Sequence, residues 1–159
     1  MPVLFQAQVR SVTVHRPRLL RLVQAVLAEV GESSAELGLS FIGDRRMRRL
    51  NRRFRQKDRT TDVLAFAMRE AHAPHASHLA GGMLGDVVLS IPTAIRQARE
   101  ARRSLDQEIV ALLVHGILHL CGYDHERSEA EARRMQRRER MVLRRLGRIS
   151  GLVRPATGR

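Results

Sequence analysis

The chain has 159 residues, enough for one domain with its own core, and 43% of them are apolar but only 3% aromatic, so that core must be built from Leu, Val, Ile, Met and Ala. A net charge of +13, from 29 basic and 16 acidic residues, suits a polyanionic partner, because phosphate contacts release counterions; solubility, or a genome that favours Arg codons, is the plain alternative. No apolar run approaches the ~20 residues of a membrane span, the N-terminus lacks the charged-then-apolar pattern of a signal peptide, and the single Cys121 cannot close an internal disulfide, which together read as a cytoplasmic protein.

Pro2 to Val14 alternates weakly and predicts a first strand. Pro17 suits a helix start, and Leu19, Leu20, Val23, Val26, Leu27 and Val30 recur at helical spacing before Gly31. Ala35, Leu37, Leu39 and Phe41 alternate as a second strand, closed by Gly43. Asp44 is expected to cap a short helix with Met47, Leu50 and Phe54 inward. Its outer face carries Arg45, Arg46, Arg48, Arg49, Arg52 and Arg53, and the basic run continues through Arg55, Lys57 and Arg59. A charge run is usually a solvated face.

Thr61 to Met68 reads as a third strand and Met83 to Ser90 as a fourth. The Ala- and His-rich segment between them reads as a loop, with His72, His75 and His78 open to a polar or a metal-binding reading. Ser90 and Pro92 open a helix with Ala94, Ile95, Ala98 and Ala101 inward. Ser104 and Gln107 form a capping box for the next helix, whose apolar stripe runs from Leu105 to Leu120. After His125, Ser128 and Glu131 suggest a second capping box and a final helix with Ala132, Met135, Val142, Leu143 and Leu146 on its apolar side. Residues 1–149 read as a single domain and 150–159 as a flexible tail.

Within the helix that follows Ser104, His115 and His119 stand four apart, which places both imidazoles on one helical face at the edge of the apolar stripe. Gly122 can take the left-handed conformation that ends a helix, so the chain can turn back and bring His125 to the same point. Three neutral imidazoles suit one Zn²⁺ and leave a fourth position open. With seven histidines in the chain, a chance triple at these offsets is expected on the order of one time in a hundred. Cys121 points about 240° around the helix from His115 and reads as a packing residue.

The offsets resemble the metzincin zinc pattern, but Gly116 stands where those proteases carry their general-base Glu. The full string His115-Gly116-Ile117-Leu118-His119-Leu120-Cys121-Gly122-Tyr123-Asp124-His125 is instead similar to the signature of the YbeY family of bacterial endoribonucleases. Asn51 to Phe66 and Leu84 to Ser90 resemble two further segments of that family, with Ala65 and Ala67 in place of its usual Ser and Pro. The likeness covers about residues 35–146.

The resemblance implies an α+β fold, a small four-stranded mixed sheet with about five helices, metalloprotease-like, with the zinc helix on one face. It implies a Zn²⁺-dependent, single-strand-specific endoribonuclease that matures the 3′ end of 16S ribosomal RNA and serves ribosome quality control. Its partners would be ribosomal RNA, the small ribosomal subunit and ribosome-assembly proteins. His115, His119 and His125 would hold the metal, with His115 also catalytic, and Arg55 would hold the scissile phosphate. Arg45, Arg48, Arg49, Arg52, Lys57 and Arg59 are the candidate RNA contacts. Asp124 is either a partner for an imidazole N–H or a cap for the turn. No general base stands out. A metal-dependent hydrolase of another substrate, such as peptides, and a non-catalytic RNA-binding assembly factor remain the alternatives.

Overall fold

The computed structural model describes residues 3–68 and 82–156, and His72, His75 and His78 lie outside them. Five described helices and a mixed sheet form an α+β domain. In chain order the elements are β1 (Val3–Ala7), β2 (Val12–Val14), α1 (Arg16–Glu29), β3 (Glu36–Ile42), α2 (Asp44–Arg55), β4 (Val63–Ala67), β5 (Met83–Ser90), α3 (Ile91–Glu100), α4 (Leu105–Leu120), α5 (Glu129–Leu146) and β6 (Val153–Pro155). The main sheet has the order β1-β3-β5-β4, parallel except for β4, which runs antiparallel to β5 and forms one edge.

Alternation along the strands divides the core between the two faces of the sheet. Leu37, Leu39 and Phe41 of β3 and Val87 and Leu89 of β5 join the large core built with α1, α4 and α5. Ile42, Leu64 and Val88 point the other way and pack with Met47 of α2. The two layers of helices therefore hold the edge strand β4 between α4 on one side and α2 on the other.

Several expectations change. The first strand divides: β1 pairs with β3, whereas β2 pairs antiparallel with β6 in a separate two-stranded sheet. The expected tail is therefore partly built in. Leu152 is fully buried, and the Asp106 carboxylate in the first turn of α4 accepts the backbone N–H groups of Gly151, Leu152 and Val153. Backbone pairing with β2 gives this short polar-flanked segment an order that its composition does not announce. On α2 the inward residue at the far end is Asn51, 2% exposed, whose Nδ2 donates to the Arg59 carbonyl; Phe54 is exposed instead. Ala101 is exposed at the end of α3. The Ser128 hydroxyl accepts from Glu131 N, the half of the second capping box that the structure records.

Asp44 does not cap α2. Gly43 takes the N-cap position, and Asp44 stands in the first turn. Its carboxylate accepts from Thr60, Ser90 and Thr93 at 3.1, 2.6 and 2.6 Å and pairs with Arg96 at 2.8 Å. Partial burial would raise its pKa, but Arg96 and the three hydroxyls outweigh that and lower it to about 2. This one side chain ties α2, the approach to β4, the end of β5 and the start of α3.

Because the native carboxyl titrates near 2 and a solvated one near 3.8, its contribution is complete above about pH 4 and is lost as the pH falls towards 2. Asp44→Asn is expected to cost about 1–2 kcal/mol at neutral pH, discounted for partial exposure, and to flatten the stability curve between pH 4 and 2. Urea unfolding across that range checks both.

Candidate functional site

The candidate centre forms where α4 ends against β4 and β5. The Ser104–Gln107 capping box starts the helix with both reciprocal bonds, at 3.0 and 3.1 Å. Ile109, Leu113, Val114, Ile117 and Leu118 are buried, while His115 and His119 remain partly exposed along the edge. Leu120 is the last helical residue, Cys121 is the C-cap, and Gly122 follows with φ of +101°. Asp124 then accepts from Glu126 N at 2.9 Å, which is the turn-capping alternative. That turn carries His125 back to the helix.

The three imidazoles converge. Ring centroids stand 5.0 Å apart for His115–His125, 6.0 Å for His119–His125 and 6.4 Å for His115–His119. Three imidazoles bound tetrahedrally to Zn²⁺ at about 2.0 Å per bond would place their centroids about 5 Å apart. Among the described residues no such group is yet drawn together closely enough to hold a metal ion. The donor types nonetheless fit, one pair already has the needed spacing, and the third ring is about 1 Å wide of it.

Glu139 on α5 is a partner that nothing in the sequence singled out. Its Oε1 lies 3.0 Å from His115 Nδ1. A carboxylate on the outer imidazole nitrogen orients the ring and fixes its tautomer. Glu139 is one of several acids among the arginines of α5, and it meets His115 only through helix packing.

Gly116 explains the missing protease base. A Cβ at this position would stand 2.8 and 3.3 Å from Val87 Cγ atoms and 3.3 Å from Val63 Cγ2. The helix is pressed onto the sheet here, so a Glu side chain has no room. Gly116→Ala is expected to destabilise the protein by about 1–2 kcal/mol, because overpacking against buried Val87 and partly buried Val63 exceeds the gain of roughly 1 kcal/mol in helix propensity. Denaturant unfolding of the variant checks the sign.

A groove of about 860 Å³ surrounds the histidines. β4 and its approach, from Thr61 to Phe66, form the floor, and Asn51, Phe54, Arg55, Lys57 and Arg59 form one wall. Glu108, Ala111, Leu112, His115, Gly116 and His119 form the other, with Arg103 at its far end. Of the expected basic contacts, Arg55, Lys57 and Arg59 therefore line the groove. Arg45, Arg48, Arg49 and Arg52 do not; Arg48 is instead paired with Asp58 at 2.9 Å. The latter carboxylate is held below its usual range by that hydrogen bond first.

Arg55 reaches across to the histidine turn. Its Nη2 donates to both oxygens of Glu126, at 3.0 and 3.1 Å, and that pairing lowers the pKa of Glu126. Glu126 Oε1 is also 3.9 Å from His125 Nε2. Each acidic residue lining the groove is engaged: Glu126 by Arg55, Glu139 by His115, Glu108 by Arg103, Asp124 by its turn and Asp62 by Val63 N.

The family model described as endoribonuclease YbeY matches residues 5–147. This chain belongs to that family. A relative named endoribonuclease YbeY from Anaeromyxobacter sp. (strain Fw109-5) is 47% identical over 137 residues, covering 86% of this chain and 68% of its own length. One of the same name from Geobacter metallireducens is 46% identical over 127 residues, covering 79% and 83% respectively. The relative from Aquifex aeolicus is 39% identical, covering 84% and 85%. The solution structure of TM1509 from Thermotoga maritima shares the fold, with a TM-score of 0.60 at 22% identity, covering 88% of this chain and 85% of that one. The family expected from the sequence is thus borne out, and no described helix is long and apolar enough to cross a membrane.

Proposed function

We propose that this protein is a zinc-dependent endoribonuclease that cuts single-stranded RNA. The observation that carries the reading is the convergence of His115, His119 and His125 in a groove whose opposite wall presents Arg55, Lys57 and Arg59. His115, His119 and His125 would hold the metal, which when bound supplies Lewis-acid polarisation of a phosphoryl oxygen. Glu139 orients His115. Arg55 faces the same centre and can donate two hydrogen bonds to a phosphate, neutralising charge that grows as the phosphorus is attacked. The family supports RNA as the substrate, and ribosomal RNA at the 3′ end of 16S, within the small ribosomal subunit, is the target we propose. Ribosome quality control in the cytoplasm, alongside ribosome-assembly proteins, would follow from that target.

In the structure, Glu126 occupies Arg55 as a phosphate would. Substrate binding therefore exchanges a carboxylate for a phosphate on the same guanidinium. Glu126→Gln is expected to tighten single-stranded RNA binding severalfold at low salt, whereas Arg55→Ala weakens it; fluorescence anisotropy measures both. Glu139→Ala is expected to weaken zinc binding about 10-fold or more while leaving the fold intact, as competition with a chromophoric chelator will show.

The attacking group is either water or the RNA's own 2′-OH, and only the latter leaves a 2′,3′-cyclic phosphate. Incubating a ribosomal RNA fragment with zinc-loaded protein, with His119→Ala purified in parallel and the product ends identified, tests the proposal. Cutting by the wild type alone is the expected result. Equal cutting by both proteins would point to a contaminant, and tight binding without cutting would favour an assembly factor. A peptide substrate is the second reading, favoured by the edge strand β4 along the groove floor. Resistance of an unfolded protein to cleavage counts against it.

A further inference from the structure

We propose that Phe54 is a base-stacking platform, the feature that makes the groove select unpaired nucleotides. The inference rests on the RNA-cleaving reading above and names how that groove would recognise its substrate. Phe54 is one of four phenylalanines in a chain poor in aromatics, and it is 52% exposed. An isolated exposed apolar residue needs no explanation. Phe54 differs because of where it stands and how it is held.

Its ring meets that of Phe66 edge-on, with centroids 5.2 Å apart and planes at 71°. Phe66 lies on β4 and packs against the small core beneath α2, so the contact braces the exposed ring from below. Both rings line the groove that holds the three histidines. Phe54 also directly precedes Arg55, and the Arg53 guanidinium lies over its ring, 5.3 Å from the centroid, in a cation–π contact. A base stacking on that face would displace the Arg53 guanidinium, which stays close enough to meet a flanking phosphate, while Arg55 on the next residue faces the candidate metal centre.

This combination suits a nucleobase of single-stranded RNA. Every base offers a π face, so stacking tolerates sequence but requires the base to be free of its duplex partner. A paired base is already stacked and its face is unavailable. A backbone-only surface made of arginines would not discriminate in this way. The aromatic ring therefore separates single strands from duplexes, while the cations supply attraction common to both.

The test measures binding of a short fluorescent RNA to proteins that all carry His119→Ala, so that cleavage does not intervene. Phe54→Leu keeps an apolar contact to Phe66 but removes the π face, and Phe54→Trp restores one. The expected result is a loss of single-strand affinity of about 5–100-fold for Phe54→Leu, with most of it recovered in Phe54→Trp. The salt dependence should keep its slope, since no phosphate contact is removed. An abasic nucleotide scanned along the RNA should weaken binding at one position in the parent protein and have no effect there in Phe54→Leu. Equal affinity of the parent and Phe54→Leu for single strands, or an equal loss for duplex RNA, would overturn the platform while leaving the nuclease reading in place. Failure of the parent to bind any single-stranded RNA would overturn the reading on which the platform rests. Thermal unfolding within a few degrees of the parent confirms that Phe54→Leu reports on binding rather than folding.

Discussion

The close packing of α4 on the edge of the sheet governs everything else about the site. Gly116 lets the helix backbone approach Val87 and Val63 more nearly than any side chain would permit. That contact fixes the rotation of α4, and rotation decides which residues look into the groove. His115 and His119 flank Gly116 on the groove side of the buried stripe, so the histidines inherit their direction from the packing of their apolar neighbours. The same contact removes the space in which a protease of similar spacing keeps its carboxylate. Position 116 of the helix therefore carries no carboxylate for the groove.

The groove is also a balance of charge. A strongly basic chain that gathered cations on one wall would repel itself there. Here the cations are interleaved with carboxylates that reach in from other elements. Glu126 comes from the turn after α4 and pairs with Arg55, and Glu139 comes from α5 and meets His115. These contacts are partly exposed, so each contributes little to stability. Their effect is geometric: they hold long side chains near the centre.

Asp44 and Asp106 play a comparable part away from the centre. Each is an acidic residue in the first turn of a helix, where the helix dipole favours negative charge. Each accepts hydrogen bonds from chain segments distant in sequence. Asp44 gathers the ends of the strands that carry the groove floor, and Asp106 holds the returning C-terminal segment against α4. Local helix rules explain why an acid stands at these places, but not which distant segment uses it.

Helix boundaries around the histidines, the period-two strands, the spacing of the three histidines and the family signature were all legible in the chain alone. These are local or periodic signals, carried within one or two turns or by strict alternation. Folding in three dimensions was needed to show that Glu139 meets His115, that Glu126 holds Arg55, that Phe54 stays at the surface while Asn51 is buried, and that residues 153–155 return to pair with β2. It also divided the basic run, sending Lys57 and Arg59 to the groove and leaving Arg45, Arg48, Arg49 and Arg52 outside it. The physical reason is common to all of these. They depend on how two elements far apart in the chain are placed side by side, and a long polar or aromatic side chain carries no mark in its own neighbourhood of what lies across a groove.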